Sequence, residues 1–394
     1  MTSVSNVSAR FLALTIALVS FCVYTSTASA AGIVTLTFDD GSLSQIQTAL
    51  PVLKAKAQNA VFYVNSGNIG EDTFMTWTQV INLHTTGHEI AAHTVNHIEL
   101  PTVPIATMST EVNQDYDTIA AQGIVTTDFA SPFGAYDNNM LSIVAKRFNS
   151  HRAFANQGLN VWPYNKYVLY VHYVTNQTSE AQAQAWVNQA IAQDAWLIMV
   201  FHEIFPTVDP TDDYSWQTAK FQTFLDFLNS KGIKAKTVQQ VLAAFTPVNT
   251  NPSFENGLTG WTTDNPNAIT LDTANNGSYP APKNSLKFTG ATAGAHLFSS
   301  KIPVTPGKTY GMRAYTDSRN FKTGEVGFYI DEYNKAGNWI SGKWFGAIYG
   351  PNVTDKPYAY TPTSANVATA AMQVYMSPGT TGAVYIDNVE FFAK

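Results

Sequence analysis

Cysteine is nearly absent from this chain: of 394 residues only Cys22 carries a thiol, and it lies inside an apolar stretch near the N-terminus. A disulfide framework and thiolate metal ligands are therefore excluded for the rest of the chain. Charge is also scarce, at 13% of residues against the ~25% of an average soluble protein. Thr, Asn, Gln and Ser must cover the surface instead. A net charge of -6 without any run of Lys or Arg argues against nucleic acid as a partner. Neutral hydroxyl- and amide-bearing ligands such as glycans suit such a surface better. The apolar run Phe11 to Tyr24 is too short to span a membrane, and the expected state is a monomer.

That run has another reading. Arg10 precedes it, and Ala28, Ser29 and Ala30 form an A-x-A site before Ala31, the pattern of a secretory signal peptide over residues 1–30. Phe21, directly before Cys22, is too bulky for lipoprotein cleavage. The expected location is secreted, extracellular or periplasmic.

From residue 31 to 246 short apolar runs alternate with helical stretches. Strands are expected at 33–38, 60–65, 89–93, 126–131, 151–155, 167–174 and 196–202, with helices that include Ser179 to Gln193 and Ser215 to Asn229. Such alternation predicts an α/β fold, a distorted (β/α) barrel of seven parallel strands that holds its site at the C-terminal rim. Residues 247–251 read as a linker. From 252 to 394 the helical period disappears, and short alternating runs broken by Gly, Asn and Pro predict a C-terminal all-β jelly-roll sandwich.

The chemistry concentrates in two places. Ile33 to Phe38 is a β-branched, apolar run that breaks at Asp39, Asp40, Gly41 and Ser42, which sets two carboxylates at a strand's end. Neighbouring strand side chains diverge, so one aspartate can ligate a metal while the other faces substrate. About fifty residues later His93 and His97 stand four positions apart, a spacing that one turn of helix or a tight loop brings to one face. Two imidazoles and a carboxylate with open positions suit Zn²⁺, and also Co²⁺, Ni²⁺ or Fe²⁺.

These residues resemble the polysaccharide deacetylase family, also called the NodB-homology or carbohydrate esterase family 4 domain. Thr37 to Gly41 spell its T-F-D-D-G motif, and His93, Thr94, Val95, Asn96 and His97 its H-[S/T]-x-x-H motif. The resemblance implies Asp39 as general base and Asp40, His93 and His97 as metal ligands. It also implies hydrolysis of an acetyl amide or ester on a polysaccharide. The third motif, R-x-P-[F/Y], is matched by Ala130, Ser131, Pro132 and Phe133. Pro132 would then border the substrate, and the Phe133 N–H would face the oxyanion. The arginine, which in the family pairs with the catalytic aspartate, is missing, as it is in exopolysaccharide deacetylases. Arg152 and Lys166 are the candidates to replace it. The strand-end run Trp196 to Phe201 leads to His202, the implied general acid, with Val200 at the position that lines the acetyl-methyl pocket. Trp162, Asp194, Asp209 and Trp216 are the candidates for the residues that orient this acid. Glu203 receives no role.

The opening Asn251 to Glu255 and the closing Tyr385 to Val389 look like a jelly-roll carbohydrate-binding module. Tyr333, Trp339, Trp344 and Tyr349 lie in a Gly-rich region, and their rings suit either sugar stacking or the core. Trp339 and Trp344 are taken as substrate contacts and Trp261 as core. Glu255 and Asp387 offer oxygen ligands for a structural Ca²⁺.

Overall fold

The computed structural model describes residues 32–207, 211–274 and 284–394. The proposed signal segment with Cys22, and Asp209, lie outside them. Seven parallel strands close into a barrel in chain order: β1 (Ile33–Phe38), β2 (Val61–Val64), β3 (Glu89–Ala92), β4 (Asp128–Ala130), β5 (Ser150–Gln157), β6 (Leu169–Tyr173) and β7 (Trp196–Phe201). Every residue of β2 and β7 is buried, as parallel strands covered on both faces require. Alternation sorts their side chains. Val61, Tyr63, Ala91, Ala130, Ile198 and Val200 share a cluster inside the barrel. Phe38, Phe62, Phe129, Met199 and Phe201 face the surrounding helices.

Those helices are α1 (Leu50–Lys56), α2 (Trp77–Thr85), α3 (Ile105–Ala121), α4 (Asn138–Val144), α5 (Glu180–Gln193), α6 (Thr218–Ser230) and α7 (Val238–Ala243). The Ser179 hydroxyl accepts from Gln182 N–H and starts α5 where the sequence pattern puts it. Helix α6 begins later than expected. Ser215–Gln217 instead forms β9, a short strand paired with β8 (Glu203–Phe205), so tertiary pairing overrides helical periodicity there.

The C-terminal half is all-β. One antiparallel sheet runs β10 (Trp261–Thr263), β13 (Ala295–Ser299), β20 (Thr369–Met376), β17 (Val326–Tyr333) and β18 (Trp339–Ile348), with β14 (Ile302–Pro303) also on β20. The other runs β11 (Ile269–Asp272), β12 (Ser285–Thr289), β21 (Thr381–Ala393), β15 (Tyr310–Asp317) and β19 (Val353–Tyr360), with β16 (Phe321–Thr323) also on β21. Trp261 is buried between them, as expected.

The sandwich packs on the barrel. Phe392 meets Trp162 at 5.7 Å and Phe245 at 5.8 Å between ring centroids, and Tyr315 and Val353 join the barrel's apolar cluster. Arg313 pairs with Glu390 in a buried setting, and Lys166 N–H donates to Asp355 at 3.2 Å. The 247–251 stretch is itself held on β21. Val248 N–H donates to Phe391 O at 2.7 Å, and the Asn249 side chain bonds Val389 O and Phe391 N–H.

Candidate active site

Strand β1 ends with Asp39 N–H donating to Phe201 O at 3.0 Å. The chain then turns through Asp40 at φ 76° and Gly41 at φ 75°. This turn separates the two carboxylates, as their adjacency at a strand end suggests. Asp40 faces the two histidines, with its Oδ1 3.5 Å from His93 Nε2 and 3.2 Å from His97 Nε2. Ligand atoms of the three residues all lie within 4.8 Å of one another. His93 Nδ1 lies 2.7 Å from Ala130 O, so it carries the proton and leaves the Nε2 lone pair for a cation. Asp40 Oδ1 is buried and makes no well-aligned hydrogen bond. An orphaned carboxylate oxygen beside two imidazole nitrogens fits a divalent cation of the Zn²⁺ kind. Burial works to raise the Asp40 carboxyl, but the imidazoles outweigh it and hold it well below the carboxylate range. Burial works to lower His93, yet Asp40 and Asp39 raise it overall.

Braces behind this cluster had no signal in the sequence. On α3, Asp115 accepts from Ser66 N–H at 3.0 Å and His93 N–H at 2.9 Å. One turn earlier Glu111 accepts from the Asn96 backbone at 2.9 Å and side chain at 2.7 Å. Burial pushes Asp115 up to about 6. The backbone is strained where the braces act. Asp40, Thr94 and His97, together with Phe133 across the cavity, have φ between 53° and 76°, at ~1–3 kcal/mol each for such non-glycine residues. Thr94 is β-branched, and its hydroxyl accepts from His97 N–H at 3.0 Å.

Asp39 points the other way. Arg152 Nη2 donates to both of its carboxylate oxygens at 2.7 Å. Arg152 is fully buried, with its guanidinium 4.5 Å from the Tyr63 ring centroid. It is the register partner of Ala130 on the next strand, and register partners on neighbouring strands share a face. The small Ala130 thus stands beside the arginine that pairs with Asp39. Lys166, the other candidate, faces the sandwich, with Nζ 4.0 Å from Glu390.

His202 follows β7 and sets Nε2 4.0 Å from Asp39 Oδ2. Its Nδ1 is buried without a hydrogen bond among the described residues. Among the described residues none of the sequence candidates orients it: Trp162 packs on Phe392, Asp194 pairs with Lys394, and Trp216 Nε1 donates to Thr178 O. Aromatic packing does so instead, from Tyr214 at 4.9 Å and Phe154 at 5.9 Å. Gln45 fastens both strand ends by donating to Asp39 O at 2.6 Å and His202 O at 3.0 Å. Glu203 has a structural use, since its carboxylate accepts from the Ser42 and Ser44 hydroxyls.

Asp39, Asp40, His93, His97, Phe133 and His202 line one cavity of about 130 Å³, together with Ser131, Phe154 and Tyr214. Phe133 is exposed and stacks edge-on against His97 at 4.8 Å. Two expected contacts are placed differently. Val200 is fully buried in the barrel cluster, and Pro132 is buried beside Phe133; neither lines the cavity. Val200 is held by the core, because its side chain packs inside the barrel.

Trp339 and Trp344 lie on β18 of the sandwich, 61% and 39% exposed, apart from this cavity. Trp344 packs on Tyr329 at 4.6 Å, and Trp339 Nε1 donates to Asp331 at 3.0 Å. Gly327 makes this possible, because a Cβ there would meet the Trp344 ring at 2.1 Å. Tyr349 is exposed, and Tyr333 lies under Lys301 Nζ at 3.9 Å. Glu255 accepts from Asn284 N–H and Asp387 from Asn388 N–H. Neither joins a grouping of three carboxylate or imidazole ligands among the described residues.

A parallel seven-stranded barrel with a histidine pair, a metal-facing aspartate and a second aspartate at its rim has the layout of a metal-assisted hydrolase site. The family model described as Polysaccharide deacetylase matches residues 27–147, a stretch that holds both aspartates, both histidines and Phe133. A probable peptidoglycan-N-acetylglucosamine deacetylase of Arthroderma benhamiae is 31% identical over 116 residues, 29% of this chain and 26% of that protein. A chitin deacetylase of Pestalotiopsis is 31% identical over 80 residues, 20% of this chain and 26% of that protein. The chain thus spans about a quarter of the length of these two curated relatives. Among solved structures, the family 4 acetyl xylan esterase of Clostridium thermocellum is 18% identical, with coverage of 54% of this chain and 91% of that one and a TM-score of 0.40.

Proposed function

We propose that the protein is a secreted, metal-dependent deacetylase that removes N-acetyl groups from a β-linked N-acetylglucosamine polysaccharide of the chitin or poly-N-acetylglucosamine type. In this reading residues 31–246 form the catalytic domain and residues 252–394 a carbohydrate-binding module. The observation that carries it is the meeting of Asp39 and His202 with the Asp40, His93 and His97 cluster in one small cavity.

Asp40, His93 and His97 would hold the metal, Zn²⁺ by donor set, with Co²⁺ or Ni²⁺ as substitutes. When bound, such an ion polarises an acyl carbonyl and eases deprotonation of water. The chain supplies the rest. Asp39, fixed by Arg152, takes the proton from the attacking water, while the Phe133 N–H, held at φ 58°, faces the oxygen that gains negative charge. As the C–N bond breaks, His202 gives its Nε2 proton to the leaving nitrogen, and the products are acetate and a free amine. The cavity of about 130 Å³ is below the ~300–1,000 Å³ of whole-ligand pockets, so it would take the acetamide and leave the sugar ring at the rim. Trp339 and Trp344 would stack on sugar units bound by the sandwich.

Acetate release tests this, measured on chitin oligomers, poly-N-acetylglucosamine and acetylxylan. Release from the amide substrates supports the reading; release from acetylxylan alone makes the protein an O-acetyl esterase. Chitin binding with no acetate from any substrate, Zn²⁺ supplied, makes it a non-catalytic glycan binder.

A further inference from the structure

A second recess of about 240 Å³ opens on the same rim, between the ends of β5 and β6 and the start of α5. Gln157, Gln177, Gln182, Thr175, Tyr173 and Trp186 line it. No charged side chain does, among the described residues. The volume equals about eight liquid waters, the scale of a single sugar ring, and the lining offers amides, hydroxyls and ring faces.

The recess is preformed, and ring packing links its wall to that of the catalytic cavity. Trp186 is buried in its floor and stacks on His172 at 4.6 Å with the rings 14° apart. Thr175 N–H donates to the Thr178 hydroxyl at 2.9 Å, and Thr178 O receives Trp216 Nε1, which fixes the loop. Tyr173 stacks on Phe154 at 4.6 Å, and Phe154 packs against His202, so two rings separate the recess from the acid. Asn176 bonds the 212–213 backbone at 3.0 and 3.1 Å, directly before Tyr214, the other wall of the catalytic cavity. Gln182 spends its backbone N–H on the Ser179 cap, and its side chain stays exposed at the recess beside the exposed Gln157.

We infer that this recess is a binding subsite for a neutral sugar unit of the same polymer, so that a glycan chain crosses the rim over Tyr173 towards α5. The inference rests on the deacetylase reading. It adds a direction to it: with the acetamide seated at His202, the neighbouring sugars extend over the Phe154 and Tyr173 rings, where amide hydrogen bonds orient their hydroxyls.

The test compares the full chain with its Gln157→Ala/Gln182→Ala form, both exposed positions, by acetate release from N-acetylglucosamine dimers and pentamers with Zn²⁺ present. The expected result is a fall of about tenfold in kcat/KM for the pentamer, the scale of two lost hydrogen bonds. It should come through KM, with the dimer unaffected. An equal fall for both lengths, or no change for either, overturns the subsite while leaving the deacetylase intact. Release of acetate by neither protein overturns the catalytic reading and the subsite with it.

Discussion

Arg152 and Asp39 form a buried pair in which one guanidinium nitrogen reaches both carboxylate oxygens at 2.7 Å. The partner comes from β5, one strand away from the position at which the motif around Pro132 and Phe133 leads one to look. Removing one member of a buried pair leaves the other charge uncompensated, at about 3–5 kcal/mol. Arg152→Ala should therefore lower unfolding stability by that amount and strongly reduce turnover. Because Ala130 shares the register and face of Arg152, Ala130→Arg in the same protein should recover activity by at least about tenfold. Denaturant melts and acetate-release rates on the three proteins check both statements.

This pair also shows how far a sequence reaches. Composition and motif order were enough for the barrel, the all-β half and the grouping of Asp40, His93 and His97, because strand-end aspartates and a His-x-x-x-His pair are local patterns. Arg152 and Lys166 could not be separated, since both are isolated cations in apolar surroundings. The choice depends on β4–β5 register. Phe154 and Tyr214 reach His202 from a different strand and a loop, and Asp115 looks like any polar residue of an amphipathic helix until α3 docks behind His93. Val200 failed for a related reason: a family position carries over, but the packing that turns a side chain inward does not.

Asp115 gives a second prediction. It accepts two backbone N–H groups, one of them from His93, and each buried donor left unsatisfied costs about 1–3 kcal/mol. Asp115→Ala should destabilise the fold by a few kcal/mol and weaken Zn²⁺ binding by about 10–100-fold, the usual effect of losing a group that orients a ligand. Calorimetric melts and a Zn²⁺ titration against a competing chelator measure both.

Metal binding should be visible without any substrate. A ligand held only by the folded state stabilises it by about 4 kcal/mol at a thousandfold excess over Kd. Chelation should lower Tm and Zn²⁺ should restore it. His93→Ala should show a low Tm that no metal raises. Thermal scans with and without chelator decide this, and an unchanged wild-type Tm counts against the site.

Two buried histidines should each subtract stability on mild acidification. Burial lowers His151 to about 3 and His88 to about 4. His151 is fully buried, and its ring nitrogens bond Ser131 Oγ and Tyr167 O in the neutral form. Both folded values lie below the unfolded value of about 6.5, so their stabilisation is complete above that pH. It is lost as pH drops towards 4, because the unfolded chain then binds protons that the fold excludes. Each histidine contributes a slope approaching about 1.4 kcal/mol per pH unit. Urea melts of wild type and His151→Gln at pH 7.5, 6 and 5 should show the contribution as a smaller loss, or a larger gain, of stability in the variant on acidification.

The most direct measurement is acetate release by wild type and Asp39→Asn after chelation and Zn²⁺ add-back, with bound Zn²⁺ counted in each. Chelated wild type should be inactive, and Zn²⁺ should revive it. Asp39→Asn should bind one Zn²⁺ as wild type does yet release almost no acetate. Full activity in Asp39→Asn, or in chelated wild type, would contradict the proposed mechanism.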